Sequence, residues 1–370
     1  MSKQNQFSPN YAVPPGETLL ESIEALGMSQ AELAQRMGRP LKTINEIIKG
    51  KAAITADTAL QLEKVLRVTA SFWNNAERAY REALARLQEQ QRLEEQSAWL
   101  NELPLKSLIQ FAWVKACDEP AKQVEELLQF FGVASVAAWR SVWLKGVGGR
   151  VAVEFRKSPA FQSDWAALAA WLRKGELKAQ ALPCADFSAE KFKAALTEIR
   201  KLTAQAPDQF QKSLVRQCAA AGVAVAFVPP LPKTHVSGAT RWLTPSKVLL
   251  QLSLRGKLDD LFWFTFFHEA GHILLHGKKD VFIEDDGKTD AKEEQANRFA
   301  ADFLIPPSDW KRFTIRSRQP SKADVRAFAC ELGIAPSVVV GRLQHEDILP
   351  RSYYNDLKVR VEFVDAATNN

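Results

Sequence analysis

Histidine is scarce in this chain, 5 residues in 370, and cysteine is scarcer still, with 4. Cys117, Cys184, Cys218 and Cys330 are scattered. They form no closely spaced pairs, which argues against a cysteine-built zinc module, and no disulfide framework, which argues against a small secreted scaffold. Buried, reduced thiols in a cytoplasmic protein are the expectation. Long apolar runs are missing too. Leu261-Phe262-Trp263-Phe264 with Phe266-Phe267 falls far short of the ~20 residues that a membrane helix requires. The first residues, Met1-Ser2-Lys3-Gln4-Asn5, lack the apolar core of a signal peptide, so no membrane association is expected. Residues 105–210 show no nucleotide loop, no catalytic dyad and no repeat.

What is present is an ordinary globular composition, 46% hydrophobic and 25% charged, over a length that suits two or three domains. Net charge is +6. Residues 1–90 carry 11 basic and 10 acidic side chains, residues 100–260 carry 22 and 14, and residues 261–370 carry 15 and 17. The basic surplus therefore lies mid-chain, where a solvated surface is its usual meaning.

Against that scarcity, three of the histidines, His268, His272 and His276, fall within nine positions. On a helix, residues four apart are neighbours, so His268 and His272 can bind one metal ion. Glu269 then reaches a water on that ion as general base, the logic of His268-Glu269-Ala270-Gly271-His272. A catalytic zinc takes three protein ligands and keeps an open position. The third is sought in the following amphipathic helix, Glu293-Glu294-Gln295-Ala296-Asn297-Arg298-Phe299-Ala300, where either Glu293 or Glu294 can turn to the metal. Asn297 lies one turn after Glu293 and can hold a histidine in place, which favours Glu293. His276 either supports a ligand from behind or caps its helix before Gly277; as a fourth ligand, the remaining reading, it would close the site. Glu284, Asp285 and Asp286 read as a solvated polar loop. His345, Arg241, His235, Tyr353 and Tyr354 are the candidates for stabilising an oxyanion.

The chain up to residue 90 reads as five helical patterns separated by Gly27, Gly38 and Gly50. Ser29 and Glu32 form a capping box, and Thr55 caps a fourth helix. Two short helices joined by a tight turn, the second with a polar outer face, describe a helix-turn-helix. Thr43 and Asn45 suit base edges in the major groove; Gln30, Lys49 and Lys51 suit phosphates, and Lys42 suits either. A near-neutral domain of this size is a weak monomeric DNA binder, so a homodimer on a palindromic operator in double-stranded DNA is expected. From Asn74 to about Asn101 a long helix follows. The aromatics of residues 105–210, among them Trp113, Phe131, Trp139, Trp143 and Trp171, read as core, with an effector pocket as the alternative. Strands are expected at 223–228 and 248–254.

Two resemblances follow. Pro14-Pro15-Gly16-Glu17, Met28-Ser29-Gln30-Ala31-Glu32-Leu33-Ala34 and Thr43-Ile44-Asn45-Glu46-Ile47-Ile48-Lys49-Gly50 make residues 11–75 resemble the lambda-repressor/Cro-like (XRE) family, and more narrowly the HigA-type antitoxins. His268-Glu269-Ala270-Gly271-His272, Glu293-x-x-Ala296-Asn297-x-Phe299-Ala300, Phe303-Leu304-Ile305-Pro306, Leu332-Gly333-Ile334-Ala335-Pro336 and Val340-Gly341-Arg342-Leu343-Gln344-His345 make residues 215–350 look like the ImmA/IrrE metallopeptidases, a gluzincin-like group. That resemblance implies one catalytic Zn2+ held by His268, His272 and Glu293, with Glu269 as base. Many members have Glu where this chain has Gln295. The implied whole is mainly α with a small α+β part. Its divisions are a flexible N-terminus (1–10), a helix-turn-helix domain (11–75), a long helix (76–104), a helical middle (105–210) and a gluzincin-like domain (211–370). The implied function is a DNA-binding regulator whose zinc peptidase cleaves itself or a partner repressor, with a toxin as a further partner. The alternative is an operator-binding antitoxin whose metal domain is only a sensor or scaffold.

Overall fold

In the computed structural model, residues 11–147, 164–277, 281–285, 291–317 and 319–362 are described; the segment expected to be flexible, 1–10, lies outside them. The chain divides into two compact units, one running to Ala98 and including Cys117–Glu125, the other formed by Trp99–Ala116 and the chain from Glu126 onward.

The first unit is all helical: α1 (Pro15–Ala25), α2 (Gln30–Met37), α3 (Leu41–Ile48), α4 (Ala56–Leu66) and α5 (Ala70–Glu95). Gly27, Gly38 and Gly50 adopt φ of +63°, +65° and +68°, the left-handed conformation that ends a helix without a Cβ clash. Leu19, Ile23, Leu33, Ile44, Leu62 and Trp73 meet in one core. Gly16 is required for another reason: a Cβ there would lie 2.3 Å from the Ile47 carbonyl oxygen, so α1 approaches α3 as closely as backbone permits. The expected capping box is only half formed. Ser29 Oγ accepts from the Glu32 amide at 3.1 Å, but the Glu32 carboxylate pairs with Arg36 one turn on instead of reaching back. The expected long helix also stops early, at Glu95, and gives way to a 3-10 stretch, Ser97–Glu102.

The second unit continues through α6 (Leu105–Gln110), α7 (Pro120–Phe131, whose first turns belong to the first unit), α8 (Val136–Trp139, running into a π-helical stretch to Val147), α9 (Trp165–Ala181), α10 (Ala189–Lys201) and α11 (Pro207–Ala219). The aromatics act as core: Trp99, Phe131 and Trp139 pack with centroids 5.2–6.3 Å apart, and the Trp171 indole donates to the Val228 carbonyl. Pro120–Leu144, with a mean hydropathy of 1.3, is long and apolar enough to cross a membrane, contrary to expectation. It is, however, interrupted by Gly132 at φ +67°.

Next come β1 (Val223–Phe227), β2 (Val236–Thr244), β3 (Lys247–Leu252), α12 (Asp259–Leu275), β4 (Val281–Asp285), α13 (Ala291–Leu304), α14 (Pro307–Arg316), α15 (Lys322–Leu332) and α16 (Pro336–His345). The sheet order is β1-β3-β2-β4, with β1 parallel to β3 and both β2 pairings antiparallel. Strands β2 and β4 were not expected. Ser237, Gly238 and Arg241 break the apolar signal of β2, and the acids at the end of β4 read as loop; Asp286 lies outside the described residues. The architecture is otherwise the expected mainly helical one with a small α+β part. Helix α12 is central, with Phe262, Trp263, Phe266, Phe267 and Ala270 buried against Val225, Leu250 and Val339, while Leu261 is exposed. Its first turn is tied from outside. Asp259 accepts from Ser337 Oγ (2.6 Å) and the Val359 amide (2.9 Å), and buried Asp260 pairs with half-buried Lys358 at 2.6 Å.

Candidate functional site

Helix α12 presents His268 and His272 one turn apart, and α13 packs across it so closely that a Cβ on Gly271 would sit 3.1 Å from Phe299 and 3.3 Å from the Ala296 Cα. That approach delivers Glu293. Its carboxylate oxygens lie 3.1 Å from His268 Nε2 and 3.4 Å from His272 Nε2, and the two Nε2 atoms are 2.9 Å apart. A zinc ion about 2.0–2.1 Å from each of three tetrahedral donors separates them by about 3.3 Å, so these spacings fit one divalent ion. Among the described residues this is the one group of three side chains that meets such a geometry. Glu294, the other acid left open by the sequence, is exposed.

The far sides of both rings are engaged. His268 Nδ1 lies 2.9 Å from Asn297 Oδ1. Because that oxygen only accepts, Nδ1 carries the proton and Nε2 keeps its lone pair. His272 Nδ1 lies 3.0 Å from His276 Nδ1, and His276 Nε2 lies 3.2 Å from Gln295 Oε1. Starting from the amide oxygen, which fixes a proton on His276 Nε2, the same logic places a proton on His272 Nδ1 and leaves its Nε2 free. His276 thus both follows the helix, as its first extended residue, and orients a ring. Burial lowers the His272 pKa below its ordinary value, with Glu293 opposing the shift and His268 adding to it. Burial alone would raise Glu293, but its hydrogen bonds and charge interactions with the two histidines outweigh that effect and hold it at about 2. Two imidazoles and an ionised carboxylate are the donor set of a zinc or similar borderline cation.

Glu269 is fully buried on the sheet side of α12, where Thr240 Oγ1 donates to its Oε2 at 2.5 Å. No sequence signal pointed to Thr240, because its strand was not expected. The oxyanion candidates fare unevenly. Arg241, next along the strand, turns to the opposite face, where its guanidinium pairs with Glu176 at 2.8 Å. His235 contacts Arg255, and the Tyr354 hydroxyl donates to the Pro320 carbonyl. Tyr353 is 54% exposed. Only His345 is near the centre, separated from the His268 ring by Phe264, with centroids 6.5 and 6.3 Å from it.

In the first unit, Ile44 and Ile47 of α3 are buried, which turns Lys42, Asn45, Glu46 and Lys49 outward, with Thr43 at the flank. Lys42 lies 3.9 Å from Glu46, an ion pair that competes with any phosphate. Gln30 opens α2 and is half-buried, while Lys51 is exposed in the turn after α3. Sequence reading missed Arg39, which donates to Gln61 (2.6 Å) and Asp57 (2.5 Å) and so locks the helix pair onto α4. It also missed buried Glu77, which accepts from the Ile54 amide at 3.1 Å and holds the loop after α3.

Comparison with known proteins adds two matches. The helix-turn-helix family matches residues 19–73, and the IrrE N-terminal-like domain matches residues 255–342. Virulence-associated protein I of Dichelobacter nodosus is 39% identical over 70 residues, covering 19% of this chain, and this chain spans only 65% of that relative. An uncharacterised HTH-type transcriptional regulator, YddM of Escherichia coli (strain K12), is 32% identical over 66 residues, 18% of this chain and 70% of its own. Among solved structures, an addiction module antidote protein of the HigA family from Coxiella burnetii is 35% identical and covers 23% of this chain and 92% of its own, with a TM-score of 0.22.

Proposed function

The chain belongs to the helix-turn-helix regulators through residues 19–73 and carries an IrrE N-terminal-like domain at residues 255–342, and from that pairing we propose an operator-binding regulator with a working zinc peptidase. The observation that carries the peptidase half is the convergence of His268, His272 and Glu293, with donor atoms within 4.8 Å of one another, beside a buried glutamate on the same helix. When bound there, zinc supplies a Lewis acid that polarises a peptide carbonyl and makes water a nucleophile near neutral pH. The protein does the rest. Asn297 and His276 hold the two rings with Nε2 lone pairs inward, and Glu293 adds the negative charge that neutralises half of the ion's own. Glu269 takes the proton of the attacking water and returns it to the departing amine nitrogen.

For the DNA half, the outward face of α3 enters the major groove of a palindromic operator. Asn45 and Thr43 read base edges, while Gln30, Lys42, Lys49 and Lys51 meet phosphates. The working form is a homodimer in the cytoplasm, and a toxin or a second repressor is the protein partner. Proteolysis then acts on the chain itself or on that repressor.

The deciding experiment uses the full-length protein: metal analysis, cleavage of itself and of neighbouring repressors, and gel shift with DNA from upstream of its own gene. Zinc at one per chain, with cleavage that disappears in Glu269→Gln, supports the proposal. Cleavage absent from the zinc-loaded wild type leaves the alternative, a regulator whose metal domain only senses or supports.

A further inference from the structure

Strand β2 runs past α12 with alternate residues facing it. Gly238 and Thr240 share that face, and both end against Glu269. The Thr240 hydroxyl donates to Glu269 Oε2 at 2.5 Å, with the Glu269 carbonyl oxygen a more distant 3.4 Å away. A Cβ on Gly238 would lie 2.5 Å from Glu269 Oε1, 2.9 Å from its Cγ and 2.9 Å from Thr265 Cγ2. Glycine is thus the residue that leaves room for the carboxylate. We propose that Gly238 and Thr240 form a strand-borne seat that positions the general base, with Thr240 fixing which carboxylate oxygen stays occupied and which faces the reacting water.

This rests on the peptidase reading of Glu269. A glutamate has three rotatable side-chain bonds, and a base that must lie within hydrogen-bond reach of its water loses rate when it wanders. Thr240 is a suitable anchor because branching at Cβ stiffens its own χ1. The strand beneath it is braced from the other face. Arg241 pairs with Glu176 at 2.8 Å, Glu176 with Arg173 at 3.1 Å, and Arg173 donates to the Phe130 carbonyl at 2.7 Å. Residue 240 therefore cannot follow Glu269 if the carboxylate drifts. Thr240 and Gly238 are positioning residues; they act on the substrate only through Glu269.

The test compares full-length wild type, Thr240→Val, Thr240→Ser and Gly238→Ala. Three quantities are read: zinc per chain, kcat and KM on a labelled casein, and calorimetric affinity for acetohydroxamate. That chelator gives its proton to the base carboxylate and requires no turnover. Expected for Thr240→Val is unchanged zinc and KM, kcat lower by about 10- to 100-fold, and weaker acetohydroxamate binding, with Thr240→Ser close to wild type. Gly238→Ala, which displaces the carboxylate from its other side, shows the same pattern as Thr240→Val. Wild-type behaviour in Thr240→Val, or equal losses in the Val and Ser variants, overturns the seat. So does loss of zinc from Thr240→Val, because the role is then structural. A zinc-loaded wild type that binds acetohydroxamate but cleaves neither casein, itself nor a neighbouring repressor ends the peptidase reading alone, and the affinities still decide the seat. A chain that takes up no zinc overturns both.

Discussion

The two functional regions are built from contacts of different reach. In the helix-turn-helix region, most joints are made within a few residues: Ser29 to the Glu32 amide, Thr55 to the Thr58 amide, Thr69 to the Phe72 amide, with left-handed glycines at 27, 38 and 50; the longer ties, Arg39 to Gln61 and Glu77 to the Ile54 amide, span 22 and 23 residues. In the metal region the decisive contacts span 29 residues for His268–Asn297, 29 for Thr240–Glu269, 65 for Arg241–Glu176 and 100 for Asp259–Val359. Local joints fail one at a time, each at a cost of ~0.5–2 kcal/mol. A buried constellation of charges fails together, because a donor left without its opposite number stays desolvated. The first region should therefore respond to mutation in small steps and the second in large ones.

The largest expected step is at the proposed metal centre. His272→Ala should abolish both zinc retention and cleavage. Glu269→Gln should keep the zinc and lower cleavage by about 10²- to 10⁴-fold, the usual worth of a positioned acid–base group. In both variants operator affinity, read by gel shift at fixed salt, should match wild type. A shifted operator affinity would mean that the two regions are energetically coupled and do not fail separately.

Next is the base of α12. Lys358→Ala leaves Asp260 buried without its cation, and the ammonium and carboxylate lie 2.6 Å apart with side chains 8% and 4% exposed. Removing one member of such a pair costs about 3–5 kcal/mol. Calorimetry of the full chain should show the transition of the metal-bearing unit falling steeply while that of the helix-turn-helix unit stays in place. A uniform fall in both would show the chain unfolding as one body.

Legibility in the sequence follows the same division. The boundaries of the first four helices were readable because a cap or a glycine announces itself within one turn; the misjudged detail there, at Glu32, arose because a competing arginine sits four residues on. At the candidate metal site, His268, Glu269 and His272 stood out because their spacing is helical and histidine is rare in this chain, and Glu293 because Asn297 follows it by one turn. Thr240 was not. A threonine in a strand interrupted by Ser237, Gly238 and Arg241 has no period of its own, and its role exists only once β2 is laid against α12. Arg241 misled for a related reason. Its charge suggested an oxyanion, but strand alternation turns it away from Thr240 and towards Glu176.

Smaller effects are expected on the proposed DNA-reading face, where they separate two kinds of contact. Asn45→Ala should cost about 1–3 kcal/mol in operator binding and relax discrimination at one base position, with little change for unrelated DNA. Lys49→Ala should weaken binding to any duplex and make the salt dependence shallower by about one unit of slope. Competition gel shifts with operator and scrambled duplexes across a salt series distinguish the two. Equal losses on both duplexes for Asn45→Ala would move that residue from base reading to backbone contact.

The smallest effect tests how local the first region is. Ser29→Ala removes the acceptor for the Glu32 amide and nothing else within α2, because the Glu32 carboxylate is already committed to Arg36. A complete capping box would lose two mutually dependent bonds. This half-formed one loses a single bond, so the cost should be about 1 kcal/mol. In a domain of this size that lowers the melting point by about 4–8 °C. Zinc content and cleavage should be unchanged, since the bond lost is internal to the start of α2. A drop well beyond that range would show that Glu32 closes the box in solution and that its pairing with Arg36 is the minor arrangement. No drop at all would place the helix start elsewhere, on the Leu33 amide bonded to the Ser29 carbonyl at 2.9 Å, which the substitution leaves intact.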